Sequence, residues 1–238
     1  MLQAADFEHE LLSANLVYLT TNSEVRVVVM ENQAYRFMLM DGTIQSAMDL
    51  QDPQALVFAH QQVMLRDLAA LAPGARVLEL GLGGGSAVRH AQLHGLPLRW
   101  TTVEENSEVV NLYWCYFDSF ALGDRSQTQT SSAFEHVIEL AESFEYLWRL
   151  APHTRFELIL CDVYDELSDE LLRLCIQHLH PGGELVINWL PHLQSQGTHS
   201  GEFFANLADE LNLEHAMQTV VGFANQIHRL RLRPNDAD

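Results

Sequence analysis

Val77-Leu78-Glu79-Leu80-Gly81-Leu82-Gly83-Gly84-Gly85-Ser86 is the stretch that decides the fold. An apolar run of strand length enters a cluster of glycines, and a helical pattern follows from Ser86. Glycine lets the backbone turn sharply and approach a ligand closely, and the helix N-terminus behind it favours polar or anionic groups. The next strand pattern, 98–103, runs into Glu104, 19 residues beyond Gly85. An acid at that place can hold both hydroxyls of a ribose. A dinucleotide fingerprint would put glycine at position 86, where this chain has Ser86.

Working outward, strand and helix patterns alternate from Ala75 onward, which predicts a mostly parallel sheet covered on both faces. Strands are expected at 76–80, 98–103, 136–140, 156–161 and 184–189, with helices near 86–94, 106–117, 142–150 and 167–179. A helix near 201–212 and two strand-like runs, 215–221 and 226–232, predict an antiparallel edge. The polar stretch 123–133 reads as a loop. Residues 1–50 read as a small β subdomain, with runs at 24–30 and 35–40 and an Asp41-Gly42 turn before 43–46. Asp52-Pro53 reads as the cap and first position of a connecting helix running to about Leu71, stopped by Pro73-Gly74. The expected organisation is therefore 1–50, a linker at 51–74, and a nucleotide-binding domain at 75–238. The fold class is α/β, a doubly wound, seven-stranded Rossmann-like sheet.

Composition narrows the chemistry. All 13 basic residues are Arg, so Schiff-base lysine chemistry and a Walker A phosphate loop are excluded. The net charge of −19 repels phosphate backbones, so no nucleic acid partner is expected, and it suits cationic small molecules. No apolar run reaches the roughly 20 residues of a membrane span. The start, MLQAADFEHE, lacks a signal-peptide pattern, so a soluble cytoplasmic protein is the expectation. Cys115, Cys161 and Cys175 form no CxxC pair, and His90 and His94 lack a motif partner. No metal is expected.

The second informative run is Phe156-Glu157-Leu158-Ile159-Leu160-Cys161-Asp162-Val163-Tyr164-Asp165. An acid at the carboxyl end of a central strand faces the crevice where open α/β sheets bind ligands. Asp162 and Asp165, three apart, can hold an ammonium group, and one can take its proton so that the amine lone pair attacks. The competing role for Asp165 or Asp169 is to cap the following helix.

Glu79-x-Gly81-x-Gly83-x-Gly85 resembles motif I of the class I S-adenosylmethionine-dependent methyltransferases. That resemblance implies that Glu79, Gly81, Gly83, Gly85 and Glu104 contact the cofactor. Ala141-Glu142-Ser143 more loosely resembles the stretch whose acid meets the adenine amino group. The run 156–165 is similar to the motif of spermidine synthase and its aminopropyltransferase relatives, where two aspartates bind and deprotonate the polyamine. Residues 35–46, ending Met40-Asp41-Gly42-Thr43-Ile44-Gln45-Ser46, resemble that family's hairpin. By resemblance, Asp162 is the base and Asp165 and Gln45 position the amine. The similarity runs from about residue 24 to 190 and implies a homodimer.

Three departures stand out. The loop aspartate that meets the donor's amino group is replaced by Gly84, a Tyr-x-Glu pattern by His60 and Gln62, and a proline by Glu166. A glycine at 84 is expected to leave room for the carboxylate of intact S-adenosylmethionine. The leading expectation is aminopropyl transfer from decarboxylated S-adenosylmethionine to an amine such as putrescine. The alternatives are methyl transfer from S-adenosylmethionine and a non-catalytic nucleoside-binding relative.

Overall fold

The computed structural model describes residues 4–21, 25–118, 133–163, 167–191 and 200–233. The chain begins with helix α1 (Ala4–Leu12) and an antiparallel meander of β1 (Asn15–Thr21), β2 (Arg26–Glu31), β3 (Tyr35–Met40) and β4 (Thr43–Asp49). Neither α1 nor β1 was expected from the sequence, because β1 leaves Leu16, Val17 and Leu19 exposed and shows no clean alternation. The two turns follow their residues. Asn32 Oδ1 accepts from the backbone N–H groups of Ala34 and Tyr35. Asp41 and Gly42 both take positive φ, 47° and 85°, as a tight hairpin turn requires.

The connecting helix is shorter than expected. Helix α2 covers only Ala59–Met64, capped by Phe58 without a side-chain bond, and a single 3-10 turn follows at Leu68–Ala70. Asp52 caps nothing. The carbonyls that a helix from Pro53 would consume go elsewhere: Pro53 O accepts from Arg89 Nε, Gln54 O pairs with His90 Nδ1, and Leu56 O accepts from Gln62 Nε2. Side chains outcompeted the cap signal.

Beyond Ala75 the chain alternates: β5 (Arg76–Leu80), α3 (Ser86–Leu93), β6 (Arg99–Glu104), α4 (Ser107–Leu112), β7 (Glu135–Leu140), α5 (Ser143–Arg149), β8 (Phe156–Cys161), α6 (Asp169–Gln177), β9 (Leu179–Trp189), α7 (Ser200–Glu210), β10 (Leu213–Thr219) and β11 (Gln226–Leu232). The seven strands lie in the order β10-β11-β9-β8-β5-β6-β7, with β10 and β11 antiparallel at one edge. The expected helix 106–117 ends at Leu112 and widens into a π-turn, Tyr113–Phe117. Of the expected loop 123–133, only Ala133 is among the described residues.

Both faces of the sheet are buried, which is why its central strands read as continuous apolar runs. Val77, Trp100, Leu158 and Leu160 pack on one face with Val88, Tyr113 and Met64. Leu78, Leu80, Ile159 and Cys161 pack on the other with Leu172 and Phe204. Each such side chain contributes about 1.5–3 kcal/mol on burial. The chain runs outward through β5, β6 and β7, then returns to lay β8 against the other side of β5. That reversal opens a crevice at the carboxyl ends of β5 and β8.

Candidate active site

A cavity of about 370 Å³ occupies that crevice, walled by the glycine loop, Gln45 and Ser46 from β4, Glu104, Glu142 and Asp162. The loop begins where β5 ends. Gly81 donates its N–H to Val103 O, and Asp162 donates its own to Leu80 O, so three strand ends are tied together.

The glycines serve the protein's own packing more than ligand approach. A Cβ on Gly81 would stand 2.4 Å from Asp162 O, and one on Gly85 would stand 2.2 Å from the Tyr113 ring. Both residues also carry positive φ, 90° and 62°. Gly83 alone of the loop faces open room, with Gln45 O at 3.8 Å from its Cβ position. Helix α3 starts at Gly85 with no side-chain cap.

Gly84 packs against the N-terminal sheet. Its Cβ position is 2.5 Å from Ser46 Oγ, 2.9 Å from Ser46 Cβ and 3.0 Å from Phe117 Cδ1. The space a side chain at position 84 would take is filled by the protein, while Gly84 itself lines the cavity. Ser46 is buried, with its hydroxyl 3.3 Å from Ser86 Oγ.

Glu104 sits partly buried on the rim. Its Oε2 accepts from Leu82 N–H at 3.0 Å and its Oε1 from Asn106 N–H at 2.9 Å. Burial pushes its carboxyl up, opposed by these backbone donors. The carboxylate keeps accepting capacity for a hydroxyl. Glu79 is only 5 % exposed, and its Oε2 accepts from Trp100 Nε1 and Thr102 Oγ1, both at 2.8 Å. Burial pushes the Glu79 carboxyl up to about 8, against the pull of both donors, so it is protonated at neutral pH. Trp100 carries no motif signal, and the parallel register of β5 with β6 brings it and Thr102 to Glu79.

Glu142 lines the cavity, but its carboxylate caps α5: Oε1 accepts from Phe144 N–H at 2.9 Å and Oε2 from Glu145 N–H at 2.8 Å. Gln45 reaches the cavity because β4 is bulged there. Met38 pairs with Ser46 and Leu39 with Ile44, leaving Gln45 as the extra residue.

Asp162 lines the same cavity beside Gly81. Its Oδ1 accepts from Asn188 Nδ2 at 2.7 Å, and Asn188 Oδ1 accepts from Asn225 Nδ2 at 2.8 Å. Its Oδ2 faces His60 Nε2 at 4.0 Å. His60 is buried, which lowers its pKa against the pull of Asp162, and its Nδ1 has no hydrogen-bond partner among the described residues. Asn188 and Asn225 were not singled out from the sequence. A polar residue inside the apolar run Leu185–Trp189 was the available signal for Asn188. Asp165 lies outside the described residues. The helix α6 cap falls to Ser168, whose Oγ accepts from Leu171 N–H at 3.1 Å, and Asp169 instead pairs with Arg173.

Among the described residues no group of three or more side chains is arranged to hold a metal, and no helix is long and apolar enough to cross a membrane. His90 and His94 each engage a backbone carbonyl through Nδ1.

No family model matches the chain. Among curated proteins it is 29 % identical over 154 residues to the polyamine aminopropyltransferase of Chromobacterium violaceum, covering 62 % of this chain and 54 % of that one. Over that stretch the chain is similar to the polyamine aminopropyltransferases. It spans about half the length of the curated aminopropyltransferases it matches. Its fold is that of a probable spermidine synthase from Corynebacterium glutamicum, with a TM-score of 0.67 at 17 % identity over 93 % of this chain and 81 % of the other. A spermidine synthase crystallised with the transition-state analogue AdoDATO gives a TM-score of 0.63 at 16 % identity, covering 92 % and 73 %.

Proposed function

We propose that this chain transfers an aminopropyl group from decarboxylated S-adenosylmethionine to a small amine of the putrescine class. The observation that carries the reading is one cavity lined together by Glu104, the glycine loop and Asp162. In this reading Glu104 accepts from the ribose hydroxyls, Gly81, Gly83 and Gly85 shape the loop beside the sulfonium, and Glu79 supports the loop from beneath. Glu142 meets the adenine while capping α5, and Gln45 and Asp165 hold the acceptor. The kinship with polyamine aminopropyltransferases supports the reaction class.

Asp162 acts as the base. Its carboxylate takes a proton from the acceptor ammonium, and the freed lone pair attacks the carbon beside the sulfonium. The C–N bond forms as the C–S bond breaks, leaving a neutral thioether. Positioning and exclusion of water supply the rest of the rate. The net charge of −19 favours capture of a cationic acceptor. The proposal includes a homodimer acting in the cytoplasm, on the family resemblance alone.

The test incubates the purified protein with the decarboxylated donor and putrescine. Methylthioadenosine and a lengthened amine are expected, and Asp162→Asn is expected to lose about 100-fold or more in turnover with donor binding kept. Wild-type turnover in that variant overturns the role of Asp162. Methyl transfer is the second reading, favoured by the absence at Gly84 of a loop carboxylate that would repel the carboxylate of intact S-adenosylmethionine. Formation of S-adenosylhomocysteine and a methylated amine from S-adenosylmethionine would select it.

A further inference from the structure

Asp162 does not stand alone at the end of β8. The parallel register pairs Cys161 with Ile187, which sets Asn188 beside Asp162, and the antiparallel register pairs Asn188 with Ile227. Asn225 arrives from the turn joining β10 to β11, where Val220 N–H donates to Asn225 O. Both amides are buried, at 3 % and 8 % exposure.

The order of donors in this chain is what matters. A primary amide has one accepting end and one donating end. Asn225 Nδ2 occupies the carbonyl of Asn188, so the Asn188 NH2 group has to face Asp162. Asp162 Oδ1 is then committed at 2.7 Å, and Oδ2 is the oxygen left for the cavity. The titratable groups facing Asp162 are Glu79 on β5, His60 on α2 and Cys161 on its own strand. Glu79 is protonated at neutral pH, and burial disfavours the charged forms of His60 and Cys161, so the amide is the strong donor to the carboxylate.

We propose that Asn188, oriented by Asn225, is a positioning residue that fixes the rotamer of Asp162 and reserves its Oδ2 for the proton of the acceptor amine. This rests on the reading of Asp162 as the base. The relay is a specific device, because a hydrogen-bonded amide restrains a carboxylate without neutralising it. A lysine or arginine there would hold Asp162 as firmly and remove its basicity.

Three variants test it. Asn188→Ala removes the donor. Asn225→Asp keeps the shape but offers only acceptors to Asn188, so the amide turns over and presents its carbonyl to Asp162. Asn225→Ser keeps a donor. The first two are expected to lose activity, approaching 100-fold in kcat for a misplaced reacting group, with the donor KM unchanged. Asn225→Ser stays close to wild type. The carboxyl carbon resonance of Asp162, read by NMR on protein labelled at aspartate carboxyls and assigned with Asp162→Asn, is expected to shift in the first two variants only.

That second readout does not depend on the reaction. If the wild-type protein transfers no aminopropyl group but the Asp162 resonance shifts as stated, the function assigned above fails and the relay stands. An unmoved Asp162 resonance in a folded Asn188→Ala protein overturns the relay. So does an Asn225→Asp variant that behaves like Asn225→Ser.

Discussion

Gly84→Ala isolates the packing between the glycine loop and the N-terminal sheet. The new methyl carbon would stand 2.5 Å from Ser46 Oγ, 2.9 Å from Ser46 Cβ and 3.0 Å from Phe117 Cδ1. Gly84 is not among the residues with positive φ, so the cost is one of space and not of backbone strain. Ser46 is 2 % exposed on β4 and cannot swing into solvent. Overpacking of this kind costs about 1–3 kcal/mol. For a chain of this size each kcal/mol lowers Tm by roughly 2–4 °C, so the expected fall is about 2–12 °C. Ser46→Gly removes both of the closest atoms. In that background the same Gly84→Ala change is expected to cost at least about 1 kcal/mol less, a coupling typical of residues in contact. Urea and thermal unfolding of the four proteins in the cycle measure it. Equal costs in the two backgrounds would refute the reasoning, since Ser46 would then not be what fills the space. The paired Gly84→Asp and Ser46→Gly change is the corresponding route for restoring a loop carboxylate, which Gly84→Asp alone does not provide room for.

Other outcomes follow from the same geometry. Glu104→Ala is expected to weaken donor binding by about 10-fold to 100-fold in calorimetry, as two hydroxyls lose a charged acceptor; unchanged affinity would remove Glu104 from the site. Glu79 is protonated in the folded protein up to about pH 8 but ionises near pH 4.5 when unfolded. The folded state therefore binds more protons between those values, and stability is lost as pH rises from 4.5 to 8. Glu79→Gln should gain stability relative to wild type across that window, and a constant difference would contradict it. His136 has the opposite dependence. Burial lowers its pKa from 6.5 to about 4, so its neutral form is present above 6.5 and its stabilisation is lost as pH falls toward 4. His136→Gln should flatten the acid limb of the stability curve, read by chemical denaturation at stepped pH.

Strands β5, β8 and β11 were read from the sequence with their observed bounds; for β8 a buried apolar run stopped by a polar residue leaves little choice. Glu104 was legible for the same reason, as the acid ending the strand after a glycine loop. The helix expected from Asp52 was not, since its cap signal is local and the carbonyls of residues 53, 54 and 56 are claimed by side chains distant in sequence. Gln45 was named from resemblance, but the bulge that turns it into the cavity is a property of how β3 and β4 pair.

Gly84 divides the two kinds of information. The sequence by itself determined that position 84 lacks a carboxylate, a fact of composition that no folding can change. Whether the missing side chain left a vacancy was decided only when β4 packed against the loop and set Ser46 into the space. The same holds for Asp162. Its place at the end of a central strand is written in a local pattern, whereas Asn188 and Asn225 lie 26 and 63 positions further along. Local patterns determine which residues end a strand. Which oxygen of a carboxylate stays free depends on partners brought together by sheet register, and register is fixed by burial of whole faces.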